Sequence, residues 1–306
     1  MANTSGSKSS SKNALLRWWW LIPLLALITL GAQWSVSQWL GDNAPTVSAD
    51  FPYQIDQPAQ NFTLSTELSE ISGLTVMPDG RLLAVQDEKG LIYVLDLETG
   101  EIQEKIKFHK SGDYEGIATA DNKVYVLQSD GDLFVIKDLE AANEAKKIET
   151  SLSIENDTEG LTATSDGRLL IACKGDSRID DNKKDHRAIF VYDPGKDKLK
   201  KEPFFDLKIK DIRQLAGDEK NAFRPSGIAL HPITGDYYLL ASVGKLLLVV
   251  DAAGQLKEAV DLRTGDFLQP EGIAFLSNGD LLISNEAHVK GGRPNLLRFT
   301  YQPVDR

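Results

Sequence analysis

The stretch Gln269–Phe275 reads QPEGIAF and places a carboxylate directly before a glycine, where an apolar run begins. The same junction occurs as DYEGIAT at Asp113–Thr119 and as DTEGLTA at Asp157–Ala163. Two related copies carry serine in place of glutamate, at Ser72-Gly73 and at Ser226-Gly227. Five copies of one motif, [SE]-G-[IL]-[AT], indicate that this chain is a repeat protein.

The spacing and content of the copies predict the fold. The motif glycines, at positions 73, 116, 160, 227 and 272, are 43, 44, 67 and 45 residues apart. A period of about 40–50 residues is typical of solenoids and β-propellers. After each motif comes a turn such as Asp79-Gly80 or Asn278-Gly279, followed by short β-rich runs without helical periodicity. The sequence therefore predicts an all-β propeller of five blades, each with four antiparallel strands.

The two ends of the repeat region complement each other. The fifth copy stops after its third strand, near Phe299, and a spare β-like segment at Asn61–Leu64 precedes the first copy. We expect this N-terminal strand to complete the last blade and so to remove the open sheet edges. A six-bladed ring is the alternative, because the 67-residue spacing leaves spare chain. No further [SE]-G-[IL] signal lies in that spacer, which favours five blades.

The N-terminal region differs from the rest in composition. Residues 1–14 are polar and predict a disordered cytoplasmic tail. Residues 15–40 are apolar, and all five tryptophans lie near the two ends of this segment. Trp18 and Trp39 would be about 32 Å apart along a helix, which matches the ~30 Å hydrocarbon core of a bilayer, and indoles favour its interfaces. The segment is predicted to be a transmembrane signal-anchor.

A cleaved signal peptide is the alternative, with a weak cleavage site at Ser35-Val36-Ser37. Paired aromatic girdles have no use in a discarded peptide, which favours the anchor. Positive residues precede the segment and no acid does, so the N-terminus is expected in the cytoplasm. A linker at 41–52 and a propeller domain at 53–306 would then lie in the periplasm, attached to the inner membrane.

Charge and cysteine content exclude several kinds of partner and site. The chain has 45 acidic and 34 basic residues, a net charge of -11, so a nucleic-acid partner is not expected. Cys173 is the only cysteine, which excludes an internal disulfide and any site that needs two thiolates. Neither a G-x-S-x-G nucleophile motif nor an H-E-x-x-H zinc motif is present.

The propeller topology predicts which rim carries function. Loops after the second strand of each blade and between blades share one rim, and the longest loops, around 174–187, 200–224 and 285–294, all belong to it. Long loops on one face of a rigid scaffold usually carry function. We call this the loop-rich rim. The residues expected to contact a ligand there are Asp87, Lys174, Arg187, His288 and Arg293.

The motif glutamates predict a metal site at the mouth of the central channel. Glu115, Glu159 and Glu271 begin inner strands on the loop-rich rim, and Asn285 and Glu286 end a second strand on the same rim. Converging carboxylates repel one another unless a cation neutralises them, and hard oxygen ligands suit Ca²⁺. These five residues are therefore the predicted Ca²⁺ ligands. The alternative is that the glutamates only accept hydrogen bonds at strand ends.

The repeats also resemble a known family. The copies EGIATADNKVYVL, EGLTATSDGRLLIA and EGIAFLSNGDLLISNE, which follow an N-terminal apolar segment, are similar to the SdiA-regulated (YjiK-like) family from about Leu68 to Phe299. The resemblance implies a membrane-anchored periplasmic β-propeller of five blades that carries a calcium ion. It implies no particular reaction.

Two classes of function fit these features. The first is a module that binds a periplasmic ligand or protein through the loop-rich rim. The second is a Ca²⁺-dependent hydrolase of lactonase or phosphoesterase type, in which the ion polarises a carbonyl or phosphoryl oxygen. Glu286 or Asp87 could supply the general acid or base, but no spacing singles out either residue. The sequence favours the binding module and leaves the question of catalysis open.

Overall fold

The computed structural model describes residues 50–303, except 142–144, 176, 178–183, 264 and 288–291. Within them the chain forms five antiparallel sheets, one helix (α1, Ile209–Ala216) and one 3₁₀ turn at Thr66–Leu68. The strands are β1 (Gln60–Thr63), β2 (Ile71–Val76), β3 (Leu82–Gln86), β4 (Leu91–Leu95), β5 (Ile102–Lys107), β6 (Tyr114–Ala120), β7 (Lys123–Gln128), β8 (Leu133–Ile136), β9 (Lys146–Ile148), β10 (Thr158–Ala163), β11 (Leu169–Cys173), β12 (His186–Asp193), β13 (Lys198–Leu199), β14 (Phe205–Lys208), β15 (Gly227–Leu230), β16 (Tyr237–Ala241), β17 (Leu246–Val250), β18 (Leu256–Asp261), β19 (Pro270–Phe275), β20 (Leu281–Asn285) and β21 (Asn295–Phe299).

The five sheets are the blades of a propeller. Blade 1 is β2–β5, blade 2 is β6–β9, blade 3 is β10–β14, blade 4 is β15–β18, and blade 5 is β19–β21 with β1. The first strand of each blade contacts the first strand of the next, from β2 through β6, β10, β15 and β19 back to β2. These five inner strands surround the axis. The predicted five-bladed fold is therefore confirmed.

The ring closes as the sequence predicts. Strand β1 pairs with β21 in antiparallel register, from Gln60 opposite Arg298 to Thr63 opposite Asn295. An amide ladder reinforces this edge, because Asn295 accepts from Asn285 Nδ2 at 2.8 Å and donates to Asn61 Oδ1 at 3.3 Å. The N-terminal strand thus supplies the fourth strand of the last blade.

The 67-residue spacing holds an insertion instead of a sixth blade, so the six-bladed alternative is wrong. Strands β13 and β14 both pair with β12, and together they occupy the outer position of blade 3. Helix α1 then leads the chain to blade 4, burying Ile209 and Ile212 against the core between blades 3 and 4. The additional residues of this spacing therefore lie between blades 3 and 4 on the loop-rich rim.

Each pair of neighbouring blades encloses its own apolar cluster. In β17, which reads LLLVV, Leu247 and Val249 face blade 5, whereas Leu246, Leu248 and Val250 face blade 3. Both faces of the strand are buried, so its sequence is continuously apolar instead of alternating. The same division applies to β3, where Leu83 faces blade 2 and Leu82 faces blade 5. The core is thus five connected interfaces around an axis.

The segment Phe51–Ile55 packs across the interface between blades 4 and 5. The Tyr53 hydroxyl donates to the carbonyl of Gly279 at 2.6 Å and lies 2.9 Å from His231 Nε2. Burial lowers the pKa of His231 to about 4, so this imidazole stays neutral near pH 7. The predicted membrane segment at 15–40 lies outside the described residues. Among the residues that the structure describes, no helix has the length and apolarity needed to span a bilayer.

Candidate functional site

The Glu-Gly motif coincides with a β-bulge at the start of the inner strand. In blade 2, Tyr114 pairs with Gln128 and Gly116 pairs with Leu127, so Glu115 is an inserted residue without a cross-strand partner. Similar shifts occur at Glu159 and Glu271, and at Ser72 in blade 1. A bulge bends the strand and redirects a side chain, and bulges are common beside functional sites.

The motif glycine lets the inner strands approach one another. A Cβ atom added at Gly116 would lie 2.7 Å from the Cβ of Leu161, and one added at Gly227 would lie 2.6 Å from the carbonyl oxygen of Glu271. Real Cβ atoms do not approach backbone so closely, so no larger residue fits here without displacing the next blade. The five motifs consequently line one axial space of about 10 Å³, which is room for a single water or ion.

The two serine copies of the motif join neighbouring blades. Ser72 Oγ donates to the carbonyl of Tyr114 at 2.6 Å, and Ser226 Oγ donates to the carbonyl of Pro270 at 2.9 Å. In both cases the acceptor directly precedes the glutamate of the next blade. An ionised glutamate has no proton to donate, so serine at these positions supports the adjoining acid without adding charge.

The three motif glutamates line the same axial space, as predicted; Glu159 and Glu271 are buried there, and Glu115 is half-buried. Glu159 is 5% exposed and Glu271 is 6% exposed. Burial, together with the charges of Glu159 and Asp113, raises the pKa of Glu115 to about 10. Burial also raises the pKa of Glu159 to about 7, and it raises the pKa of Glu271.

Two further acids extend this cluster. Burial raises the pKa of Glu286 to about 8, with repulsion from Glu271 and Glu70 adding to the effect. Burial together with repulsion from Glu70 raises the pKa of Asp87 to about 6. We call Asp87, Glu115, Glu159, Glu271 and Glu286 the axial acids.

Lys174 provides positive charge within the cluster. Its Nζ lies 2.7 Å from Glu159 Oε1. Although burial opposes protonation, the carboxylate of Glu159 raises the pKa of Lys174 above its usual value. Within the described part of the chain, no lysine or arginine forms an ion pair with any of the other four axial acids. The sequence assigned Lys174 to a ligand-binding loop, and the structure places its charge among the acids.

Several buried oxygen atoms at this rim lack a hydrogen-bond donor. They are Glu271 Oε2, Asn285 Oδ1 and Asp87 Oδ1, and Asn285 is only 1% exposed. A buried acceptor without a donor costs about 1–3 kcal/mol. All three residues were named by the sequence as candidate metal or ligand contacts. A cation would satisfy such oxygens, so the donor set fits a hard metal ion.

The described side chains are not arranged as a finished coordination sphere. Among the residues that the structure describes, no three histidine, cysteine, aspartate or glutamate side chains lie close enough together to hold a metal ion. Asn285 donates to Asn295, and Glu286 Oε2 accepts from the amide of Gln269. A side-chain hydrogen bond with Asp113 contributes to the raised pKa of Glu115.

The other predicted ligand contacts have different outcomes. Arg187 is 8% exposed, and its Nε donates to the carbonyl of Phe223 at 2.7 Å, so it ties blade 3 to the segment before blade 4. Arg293 is exposed beside β21. His288 lies outside the described residues.

Sequence reasoning missed a second ring of positions, two residues before each motif glutamate or serine. These positions hold Glu70, Asp113, Asp157, Arg224 and Gln269. The repeat alignment contains this signal, but only the two aspartates attract notice in the sequence. The structure places Glu70 and Gln269 at the mouth, since the charge of Glu70 raises the pKa of Asp87 and of Glu286, and the amide of Gln269 donates to Glu286.

Comparisons with known proteins agree with this fold. The family model described as SdiA-regulated matches residues 46–289. A glutaminyl cyclase from Myxococcus xanthus superposes with a TM-score of 0.53 and 15% identity, covering 81% of this chain and 97% of that one. The PQQ-bound aldose sugar dehydrogenase from Streptomyces coelicolor gives a TM-score of 0.49 and 15% identity, with coverage of 79% and 97%. At this identity the likeness concerns the fold alone. No curated protein matches the sequence.

Proposed function

This chain belongs to the SdiA-regulated family, and we propose that it is a membrane-anchored periplasmic β-propeller that binds a divalent cation at its axis. Ca²⁺ is the cation that the donor set fits best. In this proposal the loop-rich rim binds a ligand or partner protein, and the axial cation holds that rim together. The apolar segment at 15–40 would serve as the anchor.

The observation that carries the cation proposal is the group of buried oxygens without donors. Glu271 Oε2 and Asn285 Oδ1 are buried acceptors beside a cluster of five acids, of which only Glu159 forms an ion pair among the described residues. A hard cation offers such oxygens both charge and coordination. Solvated acids would instead be exposed and hydrogen-bonded to water, whereas Glu159 and Glu271 are almost fully buried.

Glu115, Glu159 and Glu271 are the residues that would hold the ion, because they line the same axial space from blades 2, 3 and 5. Their carboxylates would turn toward the ion on binding, and Ca²⁺ tolerates the irregular geometry that three unequal blades provide. Protons held by the raised-pKa acids would leave at the same time, as is usual for metal binding to acids. The bound ion would supply charge neutralisation and a cross-link between three blades.

The size of the axial space supports binding over hydrolysis. The space of about 10 Å³ between the motifs accommodates an ion or a water but not a carbonyl or phosphoryl group within it. A hydrolytic metal site needs an open coordination position that the substrate can reach. The hydrolase alternative therefore has less support than the binding module.

Calorimetric titration of the full-length protein, purified in detergent, tests the proposal. After treatment with EGTA and removal of the chelator, CaCl₂ should bind with a stoichiometry of one, and Glu271→Gln should weaken binding at least tenfold. Asp251 accepts hydrogen bonds only within its own turn at the opposite rim, so Asp251→Asn is the matched control. Absence of saturable Ca²⁺ binding to the wild type would refute the cation site.

A further inference from the structure

A second charged feature lies on the loop-rich rim, where blade 3 meets blade 4. Three arginines converge there on the four-residue segment 221–224. Arg187 Nε donates to the carbonyl of Phe223 at 2.7 Å, and Arg213 Nε donates to the carbonyl of Asn221 at 2.8 Å. Arg224 belongs to the segment itself, which its backbone N–H fixes to the carbonyl of Val243 at 3.2 Å. Two guanidinium groups thus hold one short stretch of chain, and that stretch itself carries Arg224.

In the part of the chain that the structure describes, these arginines have no acidic partners. Within the described residues, no carboxylate forms an ion pair with Arg187, Arg213 or Arg224. The acid nearest in sequence to the helix end, Asp218, lies 3.4 Å from Arg263 instead. Like charges gathered without a counter-ion repel one another, and a partly buried group of this kind favours an anion.

Arg187 makes the lack of a counter-ion most evident. It is 8% exposed, and its NH1 donates to the carbonyls of His186 at 2.8 Å and Lys184 at 3.3 Å. Its hydrogen bonds to described residues are thus all to neutral carbonyls. Burial lowers the pKa of Arg187, and the charges of Arg224 and Arg213 lower it further. A buried cation is costly unless an opposite charge compensates it.

The position of Arg224 in the repeat is also unusual. It lies two residues before Ser226, where the other blades place Glu70, Asp113, Asp157 and Gln269. Blade 4 alone carries a positive charge at this position. The mouth of the propeller is therefore polarised, with acids around the axis and a cationic edge at blade 4.

We propose that Arg187, Arg213 and Arg224 form an oxyanion site that binds the carboxylate or phosphate group of a ligand on the loop-rich rim. Arginine suits both groups, because its planar fork donates two parallel hydrogen bonds. Arg224 is exposed and its side chain makes no hydrogen bond or ion pair within the described residues, so its whole fork faces an incoming anion. Arg213 adds its terminal nitrogens, and Arg187 adds a buried positive charge held by its carbonyl contacts.

The test uses the full-length protein in detergent, treated with EDTA and then freed of the chelator, because EDTA is itself a carboxylate. It is titrated calorimetrically with sodium phosphate and, separately, with sodium acetate. At least one anion should bind saturably. Arg224→Gln should raise the dissociation constant for that anion at least tenfold, and Arg224→Lys should restore part of the lost affinity. Arg81→Gln is the matched control, because Arg81 is an exposed arginine on the opposite rim, paired with Asp79 at 2.8 Å. The affinity of Arg81→Gln for the anion should equal that of the wild type.

Several outcomes would overturn the proposal. One is that neither anion binds the wild type. Another is that Arg224→Gln and Arg213→Gln both bind the anion as tightly as the wild type. A third is that the control Arg81→Gln weakens binding as much as the two site variants. Arg213→Gln provides a second variant if one fails to fold, as judged by far-ultraviolet circular dichroism. Binding of acetate but not phosphate would identify a carboxylate ligand, and the reverse a phosphate. Because EDTA removes divalent cations, the result is independent of the axial cation site.

Discussion

The contact between Lys174 and Glu159 shows how one residue supports the acidic mouth. With the glutamate side chain 7% exposed and the lysine side chain 26% exposed, the pair is largely shielded from water. Removing the lysine leaves a buried carboxylate without its partner. We expect Lys174→Gln to lower the free energy of unfolding by about 2–3 kcal/mol, somewhat below the value for fully buried pairs. Urea unfolding measured in EGTA would check this.

The double variant Lys174→Gln/Glu159→Gln should recover part of that loss, because no unpaired charge is left. The exposed pair Lys196–Asp193 is the control, since the lysine side chain is 77% exposed. Lys196→Gln should lower the free energy of unfolding by less than about 1 kcal/mol. Equal losses for both lysine variants would show that the pair at the mouth has no special role.

The raised pKa values at the mouth predict an unusual pH dependence. In the folded protein the pKa of Glu159 is about 7 and that of Glu286 is about 8. In the unfolded chain both groups lose their protons near pH 4.5, so at higher pH the folded protein holds protons that the unfolded chain has released. Stability from such groups is present at low pH and is lost as pH rises through the folded pKa. In EGTA, the free energy of unfolding should therefore fall between pH 6.5 and 8, by about 1.4 kcal/mol per pH unit for each excess proton held.

The buried His231 acts with the opposite sign, because burial lowers its folded pKa to about 4, but its contribution is small above about pH 7.5, where the histidine of the unfolded chain is neutral as well. Urea titrations at several pH values would give the slope, and Glu286→Gln should flatten it. A free energy of unfolding that rises over this window would contradict the assignment of protonated acids.

The motif glutamates themselves could be predicted from the sequence, because they recur in the repeat. Their bulge and the partnership with Lys174 could not, since both depend on strand register.

Among the elements, strand β1 decides whether the ring is closed. A cysteine pair tests its register directly, because Thr63 lies opposite Asn295 on β21. Thr63→Cys/Asn295→Cys should form a disulfide on oxidation and raise the free energy of unfolding by up to about 4 kcal/mol, since the bond closes a very long loop. Burial raises the pKa of the native Cys173, which should therefore stay unreactive in a thiol assay.

The off-register pair Thr63→Cys/Arg293→Cys is the control and should keep its thiols. Efficient disulfide formation in the control but not in the in-register pair would contradict the observed pairing.

Strands such as β17 were predictable because burial on both faces makes them continuously apolar. Helix α1 was not, because its eight residues lie in a polar insertion, and so short a helix depends on tertiary contacts made by Ile209 and Ile212.

At the scale of the whole molecule, the anchor proposal predicts a membrane topology. The charge-free segment with tryptophans at both ends should keep the protein in the inner membrane after salt extraction. A reporter fused after Arg306 should be active only on the periplasmic side, whereas one fused before residue 15 should be active only in the cytoplasm. Recovery of a soluble mature chain that begins near Gln38 would instead show that the segment is cleaved.

The central claim is that an axial cation stabilises the propeller by binding its motif glutamates, and the Ca²⁺ dependence of the melting temperature tests it most directly. A ligand at 100 times its dissociation constant adds about 2.7 kcal/mol to the free energy of unfolding, which corresponds to about 5–10 °C for a domain of this size. The account predicts this rise for the wild type and for Asp251→Asn, and its loss in Glu115→Gln and Glu271→Gln. An unchanged melting temperature in Ca²⁺ and EGTA, or an equal rise in all four proteins, would contradict it.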